Sequence, residues 1–237
     1  MRRLLLVAAA ALVAGSLPQA KTVFGYDVVP VPNGGAIQGK VIFTGTPPAP
    51  RKVIPTGLCG SGVREVPQIL LAPDKGVQDA FAYLKAVDKG KGWEKSAKTP
   101  AIDSEKCDFH PHVQIIPPGD VEIVNSDPVL HITHAFYGML TAFNVALPNQ
   151  GQRITKKLNT PGLVRVECDT HGWMLGWVYV ADNPYYSLTT KDGTFRIKDV
   201  PPGQYTLVTW QENTGEVEQS VTVKPKEPTS LTIDLKK

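Results

Sequence analysis

The sequence has few of the residues that usually carry chemistry: three cysteines, three methionines and five histidines among 237 residues. It also lacks a strong charge of either sign, because 25 Lys and Arg are balanced by 22 Asp and Glu. A chain without a basic field has no electrostatic footprint for nucleic acid, so we expect no nucleic-acid partner. No segment sustains a helical period of apolar residues, which argues against an α-helical protein.

Short alternating runs of β-branched and aromatic residues fill the sequence instead. The 21 glycines and 21 prolines lie between these runs rather than in one tract. Such spacing is typical of many short strands joined by turns. We therefore expect an all-β protein.

The one long apolar run lies at the N-terminus, in residues 4–14, directly after Arg2 and Arg3. Small residues follow it at Ser16 and Ala20, and this order of features predicts a secretory signal over residues 1–20. The alternative is a membrane anchor, but the run is about half of the ~20 residues that span a bilayer. We expect an exported, for example periplasmic, protein with no membrane span after signal removal, in a compartment where disulfides are permitted.

An odd number of cysteines in an exported chain leaves one thiol over. Cys59 and Cys107 lie upstream of the sequence's main motif and can pair, which leaves Cys168 free. An exported free thiol needs protection, and a bond to a metal provides it. The alternative is that Cys168 itself forms a disulfide with one of the other two.

The main motif combines a strand, the loop after it and one upstream histidine. Alternating Val164 and Val166 lead into Cys168, and the following loop adds the imidazole of His171 and the thioether of Met174. A second imidazole is available upstream from His131. Two imidazoles, one thiolate and a weak axial thioether are the ligands of a blue-copper electron-transfer site, so copper is the expected cofactor.

Other histidines compete for roles. His134 could replace His131 as a ligand, although residues three apart on a strand point to opposite faces. His110 and His112 flank a proline, and the alternatives there are loop residues or the start of a second metal site.

The C-terminal part, residues 183–237, contains alternating strands separated by turns such as Lys-Asp-Gly and Pro-Pro-Gly. It is short of strands to close its own core, and the alternating segment 35–44 could complete it. The expected organisation is a signal in 1–20, a lead and strand in 21–64, the motif-bearing domain in 65–182 and a smaller β-sandwich in 183–237.

These motifs resemble a known family. The segments that carry the resemblance are Asn125 with His131-Ile132-Thr133-His134-Ala135-Phe136, and Cys168-Asp169-Thr170-His171-Gly172-Trp173-Met174. They are similar to the ligand segments of cupredoxins of the amicyanin and plastocyanin types, and the chain also looks like exported proteins of the methylamine-utilisation type. The resemblance implies a Greek-key β-sandwich with copper bound by the four side chains of the main motif. The segment KDGTFRIKDVPPGQYTLVTW is similar to carboxypeptidase-regulatory-like β-sandwich domains.

Two positions depart from the family pattern. Cupredoxins usually carry Asn directly after the first ligand histidine, where this chain has Ile132. They often carry Pro beside the loop histidine, where this chain has Thr170 and Gly172.

The expected function is an exported electron carrier, not an enzyme, whose partner is a redox protein such as a c-type cytochrome or a dehydrogenase. Two alternatives stay open: a copper-binding or copper-delivery protein without a redox role, and a structural or adhesion module without metal. A nucleophilic Cys168–His171 pair is also conceivable, but the sequence shows no third residue to orient the histidine.

Overall fold

Residues 25–236 are described by a computed structural model, and β-strands dominate it. The expected signal segment 1–20 lies outside the described residues. Within 25–236 the helical elements amount to one 3-10 turn, Gly57–Cys59, so the all-β expectation is confirmed. Over the same residues, no helix is long and apolar enough to cross a membrane.

The strands upstream of residue 117 are mostly short. They are β1 (Asp27–Val28), β2 (Gly35–Ile42), β3 (Arg51–Val53), β4 (Arg64–Val66), β5 (Leu70–Leu71), β6 (Val77–Gln78), β7 (Phe81–Lys85), β8 (Lys89–Gly90), β9 (Ala101–Glu105), β10 (Asp108–His110) and β11 (Val113–Ile116).

The strands that follow are longer and include those of the main motif. They are β12 (Gly119–Asn125), β13 (His131–Tyr137), β14 (Leu140–Leu147), β15 (Arg153–Leu158), β16 (Gly162–Cys168), β17 (Leu175–Val180), β18 (Tyr186–Leu188), β19 (Thr194–Val200), β20 (Gly203–Gln211), β21 (Gly215–Val223) and β22 (Pro228–Asp234).

Two sheets enclose the core that contains the main motif. Their strand orders are β10-β9-β12-β15 and β11-β17-β16-β13-β14. Alternate residues point inward, among them Val121 and Ile123 of β12 and Val164 and Val166 of β16, all at most 1% exposed. The period-two pattern in the sequence therefore buries one face of each strand, as expected for a sandwich.

A second pair of sheets forms around the C-terminal strands. Their orders are β18-β7-β20-β21 and β19-β2-β22, and their shared core includes Ile37, Leu84, Leu207 and Ile233. Strand β2 lies between β19 and β22, antiparallel to the first and parallel to the second. The 35–44 segment thus occupies the centre of a C-terminal sheet.

One strand of the expected 65–182 domain needs a correction. Strand β7 pairs with β18 and β20 of the C-terminal sheets and not with the strands around Cys168. Its Ala82 and Leu84 are fully buried in that second core, which gives the strand a place that local sequence cannot specify. The domain limits otherwise stay a prediction.

An aromatic cluster joins the two sandwiches. The Phe81 ring lies 5.0 Å from the Tyr179 ring and 4.8 Å from the Trp210 ring, both in stacked orientation. Glu212 adds a polar link, because it accepts a hydrogen bond from Trp177 Nε1 at 2.7 Å and contacts His112 Nε2 at 3.1 Å. Buried aromatic pairs of this kind contribute about 0.5–1.5 kcal/mol beyond their area.

Gly39, in the centre of β2, lies too close to its neighbour strand to carry a side chain. A Cβ there would lie 2.1 Å from the carbonyl oxygen of Leu231. We expect Gly39→Ala to lower the free energy of unfolding by about 1–3 kcal/mol, because the strand pairing must shift to relieve the overlap. Chemical denaturation measures this change. Gly92→Ala is the control, since its Cβ meets only a Val28 methyl at 3.5 Å; equal stability of both variants would contradict the expectation.

Candidate metal centre

Three donor atoms meet between the two sheets of the first sandwich. His131 opens β13 and Cys168 closes β16, and antiparallel pairing of these strands sets Thr133 opposite Cys168. Cys168 Sγ lies 3.6 Å from His131 Nδ1 and 3.6 Å from His171 Nδ1. The two Nδ1 atoms are 3.1 Å apart. Strand pairing and the following loop therefore assemble a triangle of two nitrogens and one sulfur, which we call the donor triangle.

The size of the donor triangle fits a transition-metal ion. With sides of 3.6, 3.6 and 3.1 Å, its centre lies about 2.0 Å from each atom, close to the ~2.0–2.1 Å and ~2.3 Å that metal–nitrogen and metal–sulfur bonds take in zinc proteins. His131 and Cys168 are buried and His171 is partly buried. These three side chains could hold a metal without rearrangement of the backbone.

Two backbone hydrogen bonds fold the loop between β16 and β17. The N–H of His171 donates to the Cys168 carbonyl at 3.3 Å, and the N–H of Met174 donates to the His171 carbonyl at 2.9 Å. The first bond turns the His171 ring back toward Cys168, and the second directs Met174 into the core, where it is 1% exposed. The role of Met174 as a fourth ligand stays a prediction.

A carboxylate behind His131 sets the orientation of its ring. Asp127 Oδ2 lies 2.9 Å from His131 Nε2, so the ring donates Nε2–H to the carboxylate and leaves Nδ1 free to bind a metal. Asp127 is itself held by its own N–H, which donates to the Asn125 side-chain oxygen at 2.9 Å. Burial opposes protonation of His131, but hydrogen bonds to Cys168 and Asp127 outweigh it and raise the pKa of the imidazole.

The surroundings of the Cys168 thiol lower its pKa. Burial alone would raise its pKa, but hydrogen bonds with the His131 and Thr170 side chains and with the backbone of Ile132 and Thr170 lower the pKa of Cys168 to about 6. The backbone of Ile132 makes this contact although its side chain departs from the family pattern. A thiolate is the form that binds metals.

The remaining histidines lie away from the donor triangle. His134 Nδ1 is 3.1 Å from Asp169 Oδ1, and its Nε2 is 2.9 Å from the Thr141 hydroxyl. His112 contacts the Leu175 carbonyl with one nitrogen and Glu212 with the other, and His110 is exposed. Among residues 25–236, neither His110 nor His112 belongs to a cluster of three metal-ligating groups.

Two neighbours of the donor triangle were not assigned roles from the sequence. The first is Asp127, whose only sequence signal is its place four residues before His131. The second is the Cys59–Cys107 disulfide, which is present as expected and leaves Cys168 free. Its Cys59 Sγ lies 3.5 Å from His171 Nε2, a contact that no local pattern indicates.

Comparison with known protein families finds a match for the C-terminal part of the chain. The carboxypeptidase regulatory-like domain family matches residues 178–236, a minority of the chain. No curated protein matches the chain in sequence.

Solved structures are similar to part of the chain. A purple cupredoxin from Nitrosopumilus maritimus is 25% identical over 35% of this chain and 99% of its own, with a TM-score of 0.31. Amicyanin from Paracoccus versutus is 20% identical over 37% and 86%, with a TM-score of 0.32. A copper-containing nitrite reductase from Thermus scotoductus SA-01 is 24% identical over 41% of this chain and 25% of its own, with a TM-score of 0.32. The family match over residues 178–236 agrees with the carboxypeptidase-regulatory-like resemblance noted in the sequence.

The ionisation of Cys168 can be measured without metal. We expect the ultraviolet thiolate absorbance of the metal-free protein to rise with a midpoint near pH 6, because the hydrogen bonds around Sγ favour the anion over the neutral thiol. The thiolate then predominates above that pH and is lost below it. Cys168→Ser is the control and should show no such titration, since the other two cysteines are in the disulfide. A midpoint in the ordinary thiol range would contradict this picture.

Proposed function

We propose that this chain is an exported copper protein that carries single electrons between redox partners. The observation that supports the proposal most strongly is the donor triangle, in which His131, Cys168 and His171 already stand at metal-binding separations. Thiolate and imidazole together are the donor set of blue-copper sites. A bound copper ion would supply one-electron redox chemistry at this position.

The protein supports such a role by holding its ligands still. His131 is fixed by Asp127, Cys168 by two strands and several hydrogen bonds, and His171 by the folded loop. Rigid donors suit electron transfer because both oxidation states must be accommodated with little movement. Met174, buried in the same core, is the proposed weak axial ligand.

The partly exposed side of the site lies at His171. His131 and Cys168 are 0% and 3% exposed, whereas His171 is only partly buried. Two exposed leucines lie beside the site in sequence: Leu130 directly precedes His131, and Leu58 directly precedes Cys59. We propose that a c-type cytochrome or a dehydrogenase docks on this side through a small interface, as brief electron-transfer encounters do. Export agrees with the disulfide, which persists in oxidising compartments.

The thiolate should give the copper-loaded protein its colour. We expect copper-loaded wild type to show an intense sulfur-to-copper absorption band and Cys168→Ser to lose it, because a serine oxygen is a harder donor. Met174→Leu should keep copper and colour but shift the reduction potential, since an axial thioether tunes rather than anchors the ion. Metal analysis, absorption spectra and potentiometry check these outcomes. Copper bound by wild type without the band would instead favour a copper-binding or delivery role.

The two histidines of β13 provide a matched pair of variants. His131→Ala should bleach the protein, because it removes one corner of the donor triangle. His134→Ala should leave the colour unchanged, because both His134 nitrogens contact groups outside the triangle. Absorption spectroscopy of both copper-treated variants separates them, and the reverse result would show that the wrong histidine has been assigned.

A further inference from the structure

The turn between β9 and β10 adopts a backbone conformation that its residues disfavour. Lys106 and Cys107 form the two-residue connection, and their φ angles are +55° and +53°. Both residues thus have the left-handed backbone conformation, in a type of turn that usually contains Asn or Gly. Non-glycine residues stay in this region when surrounding contacts hold them there, and such positions concentrate at functional sites.

Asp127 holds this turn and His131 with one carboxylate. The N–H of Lys106 donates to Asp127 Oδ1 at 2.7 Å, and the N–H of Cys107 donates to Oδ2 at 2.8 Å. The same Oδ2 atom contacts His131 Nε2 at 2.9 Å. The left-handed turn is therefore the arrangement that aims two adjacent N–H groups at the carboxylate that orients His131.

The other side of the disulfide reaches His171. Cys59 Sγ lies 3.5 Å from His171 Nε2, on the ring edge opposite the donor triangle. The Cys107 carbonyl accepts a hydrogen bond from Trp173 Nε1 at 3.1 Å, and the Trp173 ring lies 5.1 Å from the His171 ring. One covalent link thus contacts the surroundings of both histidines.

We propose that the Cys59–Cys107 disulfide and Asp127 act as one positioning unit for both ligand histidines of the proposed copper site. This proposal rests on the proposed function. It adds a role for residues that touch no donor atom of the triangle. Asp127 fixes the orientation of the His131 ring. Cys59 contacts the edge of the His171 ring that faces away from the donor triangle. Opening the disulfide frees the turn at Cys107, and both imidazoles then lose a constraint.

The test is copper binding by the full mature chain with the disulfide removed as Cys59→Ser/Cys107→Ser. We expect copper affinity, measured by competition with a chelator, to fall about 10–100-fold, because mutation of residues that orient metal ligands typically has an effect of this size. The sulfur-to-copper band and the reduction potential should shift as well. Leu158→Ala is the matched control: it empties part of the same core at the far end of β15 and should lower thermal stability without moving band or potential.

Each outcome has a distinct meaning. Unchanged affinity and spectrum in the disulfide variant, with a normal band in wild type, would overturn the positioning role and leave the copper function standing. Equal spectral shifts in Leu158→Ala would also overturn it, because the effect would then follow stability alone. Absence of the band in wild type would instead remove the proposed function. If the double variant does not fold, Asp127→Asn tests the His131 side with the disulfide intact, and an unchanged affinity there contradicts the proposal.

Discussion

The candidate site depends on the register between β13 and β16. Thr133 lies opposite Cys168, so the strand that begins at His131 passes beside the strand that ends in the thiol. A slip by one residue would turn Cys168 to the other face of the sheet. The buried alternation of Val164 and Val166 fixes this register, because a slip would also expose both valines. Hydrophobic burial in the sheet thus determines where sulfur and nitrogen meet.

The second constraint is the burial of polar groups beside that register. His131 and Asn125 are fully buried and Asp127 is 7% exposed, so each needs partners inside the protein. Asn125 donates to the Val129 and Leu147 carbonyls and accepts from the Asp127 N–H, which ties the approach to β13 to the end of β14. The resulting network occupies His131 Nε2 and leaves His131 Nδ1 facing Cys168 and His171. The hydrogen bonds that satisfy these buried groups therefore also orient the ring of His131, the proposed copper ligand.

Much of this arrangement could be predicted from the sequence, because its signals are local. The alternating run into Cys168 and the spacing of His171 indicate a loop that carries donor atoms. The odd cysteine count indicates a disulfide between the other two cysteines. Long-range placements could not be predicted: β7 joins the C-terminal sheet through partners distant in sequence. Strand β9 carries little apolar signal in the sequence, since only Ile102 among its buried residues is apolar. The approach of Cys59 to His171 likewise depends on tertiary packing.

We expect the donor triangle to be assembled before copper binds. Crystal structures of the metal-free and copper-loaded protein test it most directly. We expect a copper ion bonded to His131 Nδ1, His171 Nδ1 and Cys168 Sγ at about 2.0–2.3 Å, with donor positions that differ by no more than ~0.5 Å between the two structures. Copper bound elsewhere, or a triangle that forms only after large movements of these side chains, would contradict it.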